Sequence, residues 1–117
     1  MKTTTREIGL QAEELACRYL QARGLHLLMR NYRLRIGEID LVFRDQTHVV
    51  FVEVRYRKSN QFGGALFSID ARKQQKLIRT AQHYIQQYQV ELPVRFDVVA
   101  ISGQDHIQWL PNAFEAG

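Results

Sequence analysis

Two acidic residues interrupt runs that are otherwise apolar. Glu53 sits inside "VVFVEVRYR" (49–57), and Asp40 sits inside "GEIDLVF" (37–43). Both runs read as strands of a hairpin with a tight turn over Asp45 to His48. If Arg44 pairs with Val49, Asp40 pairs with Glu53 on the neighbouring strand. Directly opposed positions place Cβ atoms about 4.5–5.5 Å apart, where like charges destabilise a sheet. One carboxyl keeping its proton, an arginine bridging the pair, or a divalent cation binding both would relieve the repulsion. Arg55 and Arg57 share the face of Glu53 and suit the second remedy; the hairpin by itself does not choose between an arginine bridge and a metal. The metal has the larger chemical consequence. Mg²⁺ takes oxygen ligands, typically one or two carboxylates with waters and a phosphate oxygen. Such an ion could activate water for attack on phosphorus and neutralise charge on the leaving oxygen.

These residues need elements to hold them. From Thr5 to Arg23 the apolar positions Ile8, Ala12, Leu15, Ala16, Tyr19 and Leu20 recur at helical spacing, and Gly24 supplies a stop. Glu13 lies at the margin of that stripe beside Gly9, Ala16 and Cys17, whose small size lets it approach other backbone. Leu25 to Tyr32 reads as a strand. In the hairpin, Val50, Val52, Val54 and Tyr56 point one way and Val49, Phe51, Glu53, Arg55 and Arg57 the other; Glu38, Asp40 and Val42 oppose Ile39, Leu41 and Phe43. Asp70 can cap a second helix with Leu77, Ile78, Ala81, Tyr84, Ile85 and Tyr88 on one face and Arg72, Lys76 and Arg79 on the other. Lys73 falls at the margin of its apolar stripe. "VRFDVVAIS" and "HIQWL" read as a closing pair of strands around Gly103, and Pro93 and Pro111 fall where elements begin or end. The order α-β-β-β-α-β-β predicts an α/β or α+β fold, with helices flanking a mixed central sheet.

A chain of 117 residues, 45% of them hydrophobic, suits one domain spanning 1–117. Cys17 is the single cysteine, which leaves no intrachain disulfide or cysteine metal cluster and fits a reducing cytoplasm. The N-terminus lacks the apolar run of a signal peptide, and no stretch approaches the roughly 18 apolar residues of a membrane span. A cytoplasmic, unprocessed protein without a membrane partner is the expectation. The net charge of +4 is unevenly placed: residues 30 to 79 carry eleven Lys and Arg against five Asp and Glu. That concentration points to a polyanion, nucleic acid above all, although a solvated basic face has the same composition. Arg30, Arg33 and Arg35 interleave with Tyr32 as a backbone-binding strip would, and Arg57, Lys58, Arg72 and Lys76 extend the basic surface. Gly63 and Gly64 of "FGGA" could let backbone amides approach a phosphate, and a connector explains them equally well. The four histidines show no metal-ligand spacing, and Asp97 reads as structural, holding a nearby arginine or helix end.

Five blocks, "GLQAEELACRYLQARG", "RNYRLRIGEIDLVF", "VVFVEVRYR", "FGGALFSIDARKQQKL" and "RFDVVAI", occur in order over nearly the whole chain. Together they resemble the YraN-like family of small bacterial proteins. That family is similar to Holliday-junction resolvases, with the restriction-endonuclease-like fold whose active site is written PD-(D/E)xK. The resemblance implies that Asp40 and Glu53 bind metal, with the Val54 carbonyl as a further ligand, and that Glu13 completes the site. It implies a Mg²⁺ or Mn²⁺ nuclease with DNA as the expected substrate, working as a homodimer as resolvase-like relatives often do. One position departs from the pattern. The motif places lysine two residues after the glutamate, and here Arg55 stands there. A lysine can orient the attacking water and, with a depressed pKa, take its proton; a guanidinium does only the orienting and charge-stabilising part. Either a metal-bound hydroxide suffices or another lysine substitutes, and Lys73 is the best-placed substitute, with an ordinary exposed lysine as its other reading. A non-catalytic nucleic-acid-binding module of the same fold is the competing function.

Overall fold

Thr4 starts the first helix by accepting the Glu7 N–H at 3.1 Å, and Gly24, at φ 92°, turns the chain after its end. The computed structural model describes residues 4–57, 69–103 and 106–116. The elements are α1 (Thr5–Ala22), β1 (His26–Leu34), β2 (Gly37–Arg44), β3 (Val49–Arg57), α2 (Ala71–Gln87), β4 (Val94–Ser102) and β5 (His106–Phe114). This is an α+β fold in the predicted order. The strands form one mixed sheet ordered β1-β2-β3-β4-β5. β3 and β4 are its parallel pair, in register from Val49↔Val94 to Arg57↔Ser102, and α2 lies within the crossover that a parallel pair requires.

A helix lies against each face of the sheet. Ala12, Ala16, Cys17 and Leu20 of α1 pack with Leu41, Phe43, Val50, Val52, Val99 and Ile101. Leu77, Ile78, Ala81 and Tyr84 of α2 pack with Ile39, Val42, Val49, Phe51, Phe96 and Val98. Strands covered on both sides read as continuous apolar runs, which is why β3 and β4 are so hydrophobic.

Three details differ from the sequence reading. Ile39 faces α2 with Val42, not α1 with Leu41 and Phe43. Strict alternation fails between Leu41 and Ile39, across the stretch whose β1 partners flank Asn31 with its left-handed φ of 52°. Pro111 lies within β5 instead of ending it, which an edge strand tolerates. Tyr88, placed on the apolar face of α2, is its C-cap and 47% exposed, packing its ring at 4.6 Å from that of Tyr84.

The start of β2 is pressed against α2. A Cβ built on Gly37 would lie 2.7 Å from Thr80 Oγ1 and 3.4 Å from the Lys76 carbonyl. Thr80 is fully buried, and its hydroxyl donates to the Lys76 carbonyl at 2.8 Å, so it has little room to yield. Gly37→Ala is therefore expected to cost about 1–3 kcal/mol through overpacking. A urea melt would show it, with the midpoint falling and the slope unchanged.

Candidate metal centre

The β2–β3 ladder runs from Arg44↔Val49 only as far as Leu41↔Val52, whereas β3 stays paired with β4 to Arg57. The strands thus part where Asp40 and Glu53 stand. Asp40 Oδ2 accepts the Val54 N–H at 2.8 Å, so the side chain satisfies a donor beyond the end of the ladder. Asp40 also lies close enough to Glu53 for that side chain to act on its ionisation. One register step beyond Leu41↔Val52 puts these two residues opposite each other, as the four-residue turn predicts.

Glu53 is only 6% exposed and points to the α2 side with Val49 and Phe51. Its Oε2 is fully buried and makes no aligned hydrogen bond; its partner is the Lys73 ammonium, in an ion pair. Lys73 belongs to the first turn of α2, where its N–H donates to Asp70 Oδ1 at 2.8 Å. The cap that starts the helix therefore also fixes the residue that delivers the cation. The sequence had offered Arg55 and Arg57 as counter-ions to Glu53, and the structure adds Lys73. Arg55 follows two residues along β3, opposite Ala100.

Glu13 reaches the same place from α1. Ligand oxygens of Glu13, Glu38 and Asp40 lie within 4.8 Å of one another. The electrostatic consequence falls chiefly on Asp40. Burial first, then the hydrogen bond and charge of Glu53, with a smaller contribution from Glu13, push its carboxyl up to about 9, against the opposing pull of the Val54 N–H. Glu13 is raised as well, by burial and by the charge of Glu38, while the amide of Asn31 opposes the shift. A group of carboxyls that cannot all ionise comfortably, presenting only oxygen donors, fits a hard divalent cation such as Mg²⁺ or Mn²⁺.

Asp40 thus stands with Glu13 and Glu38 within 4.8 Å, the Val54 N–H on its own carboxylate, and Glu53 beside it holding Lys73. The predicted basic strip is more divided. Arg30 donates to Glu14 at 2.7 Å and to Cys17 Sγ at 3.4 Å, so it is tied to α1. Arg33 pairs with Glu38 at 3.3 Å, and Arg35 is exposed in the β1–β2 turn. Arg57 is exposed and bonds the Tyr56 carbonyl at 2.7 Å. Arg72 and Lys76 line an open depression with Asp70 and Lys73 at the start of α2. Lys58, Gly63 and Gly64 lie outside the described residues.

Asp97 is structural, as its sequence setting suggests. It takes hydrogen bonds from Arg95 Nε at 3.0 Å, Trp109 Nε1 at 2.9 Å and the Asn112 N–H at 2.9 Å. Two residues went unnoticed in the sequence as parts of the centre: Glu38, and Asn31, which stands between Glu38 and Glu13. The available signal was an asparagine inside an apolar strand, since asparagine is among the few residues that adopt left-handed backbone readily.

Residues 12–101 match the profile of a family described as "Uncharacterised protein family UPF0102". The chain belongs to the UPF0102 family. A UPF0102 protein of Nitrosococcus oceani is 53% identical over 116 residues, covering 95% of this chain and 94% of that protein. One from Legionella pneumophila is 49% identical over 116 residues, covering 97% and 98%. Another, from Pseudomonas fluorescens, is 54% identical over 111 residues, covering 92% of each chain. The Asp40–Glu53 fork lies inside the matched UPF0102 segment, as do Glu13, Glu38 and Lys73.

Proposed function

We propose that this protein is a Mg²⁺- or Mn²⁺-dependent nuclease that hydrolyses DNA phosphodiesters. The observation that carries the reading is the position of Asp40 where β2 and β3 separate, beside Glu53 with its Lys73 ammonium and within 4.8 Å of the ligand oxygens of Glu13 and Glu38. The resemblance to restriction-endonuclease-like resolvases assigns metal to Asp40, Glu53 and Glu13. A cation bound there would neutralise phosphate charge and lower the pKa of a coordinated water. Asp40 and Glu53 would hold the ion, with Glu13 and the Val54 carbonyl completing the ligand set. Arg55 is suited to stabilise charge on phosphorus in the transition state through its delocalised, planar guanidinium. Arg72 and Lys76, one helical turn apart beside Lys73, would track the phosphate backbone leading into the site.

Arg55 in place of the motif lysine favours a second reading, a module that binds nucleic acid without cutting it. Calorimetry and cleavage assays separate the two. A nuclease binds Mn²⁺, loses it in Glu53→Ala, and cuts linear, single-stranded or branched DNA only while Asp40 and Glu53 are intact. A pure binder shows DNA affinity that falls with salt and ignores divalent ions. Failure of the purified wild type to cleave any of these DNAs with either metal would overturn the nuclease reading.

A further inference from the structure

Asn31 combines two features unusual inside a strand. Its backbone is left-handed, with φ 52°, and its side chain stands between carboxylates from two different elements. With the amide nitrogen turned toward them, it donates to Glu13 Oε1 of α1 at 3.2 Å and to Glu38 Oε1 of β2 at 2.9 Å. An amide has two N–H donors, one for each carboxylate. We propose that Asn31 is a positioning residue for the carboxylate centre, drawing Glu13 and Glu38 toward Asp40 while adding no positive charge of its own. This rests on the metal reading above.

The neighbours of Asn31 show why an amide matters there. Arg30 donates to Glu14, the residue after Glu13, at 2.7 Å, and Arg33 pairs with Glu38 at 3.3 Å. β1 side chains on either side of Asn31 therefore reach the α1 and β2 carboxylates, and the guanidinium of Arg30 commits Glu14 to an ion pair. A guanidinium at position 31 would do the same to Glu13 and compete directly with a cation. A neutral amide instead holds the Glu13 carboxylate within 4.8 Å of Asp40 without placing a competing cation on it. The backbone gives a separate reason for a small set of residues at this position, because glycine would accept φ 52° at least as well as asparagine. Backbone geometry therefore does not by itself require the amide; the two carboxylates do.

That distinction defines the experiment. Asn31→Gly keeps the left-handed backbone and removes only the donors. Isothermal titration of Mn²⁺ into the full chain is expected to show affinity weakened about 10–100-fold, the usual cost of losing a partner that orients metal ligands. The melting temperature should move by only a few degrees, and a metal-free crystal structure of the variant should show Glu13 turned away from Asp40. Wild-type Mn²⁺ affinity together with an unmoved Glu13 in Asn31→Gly would overturn the proposal while leaving the metal reading intact. A wild type that binds no Mn²⁺ would overturn the metal reading and the role given to Asn31 with it. If Asn31→Gly fails to fold, the wild-type side-chain amide signals of Asn31 decide: they shift when Mg²⁺ is added, and unchanged signals overturn the proposal.

Discussion

Asp40→Asn is expected to raise the melting temperature of the metal-free protein at pH 8 by roughly 3–8 °C and to abolish DNA cleavage. The stabilisation follows from the direction of the Asp40 shift. Its carboxyl is pushed from an ordinary 3.8 up to about 9 in the folded chain, by burial first and by Glu53 next. Below about pH 4 the acid is protonated in both folded and unfolded chains and favours neither. As the pH rises toward 9 the unfolded chain gives up this proton while the folded chain keeps it, so the wild type loses stability across that window. Each pH unit of separation corresponds to about 1.4 kcal/mol at most. Relaxation around the pair makes a net gain of about 1–2 kcal/mol at pH 8 the realistic expectation for asparagine, which stays neutral, accepts the Val54 N–H and donates to Glu53. The melting curves of wild type and variant should converge near pH 4 and separate toward pH 9. Saturating Mn²⁺ should reverse the order, because a ligand that binds only the folded wild type stabilises it by mass action. A variant no more stable than wild type at pH 8 without metal would remove the claim that burial and Glu53 raise the Asp40 carboxyl.

The pairing of these acids was legible because a four-residue turn fixes hairpin register, and the observed Arg44↔Val49 pair is the predicted one. What alternation could not reveal was the departure from regular strand geometry. Asn31 turns left-handed opposite the Asp40 region, Ile39 changes face there, and β2 separates from β3 after Leu41. Glu38, read only as sharing a face with Asp40, is thereby placed within reach of Glu13. No period-two pattern encodes that bend. The helical wheel did place Glu13 and Lys73 at the margins of their apolar stripes, and margins are where a side chain can reach past the core to the sheet. Helical spacing does not tell which marginal residues meet; the sheet between them decides that. The arginines of β1 illustrate the same limit: their charge was evident in the sequence, but the partners Glu14 and Glu38 depend on how α1 and β2 pack beside them.

Lys73→Ala is expected to lower kcat for DNA cleavage by about 100-fold or more, within the range general acid–base groups contribute, while leaving Mn²⁺ affinity unchanged or tighter. The opposite directions follow from one contact. In the metal-free chain the Lys73 ammonium is the cation on buried Glu53, so its removal leaves that carboxylate without the ion pair and freer to accept another cation. For the chemical step, Lys73 is a flexible amine at the edge of the site, half exposed, whose compact ammonium with rotatable N–H donors differs from the planar fork of Arg55. An ordinary structural salt bridge would behave differently: stability would fall and kcat would follow only as the folded fraction does. Adding Arg55→Lys to Lys73→Ala sharpens the contrast, because it restores an amine from β3, two residues after Glu53, where the motif places it. Partial recovery of kcat in the double variant would identify the ammonium near Glu53, from either element, as the missing function. Full activity in Lys73→Ala would instead leave Arg55 and the bound cation to carry the reaction, and would reduce Lys73 to a partner that steadies Glu53 until metal arrives.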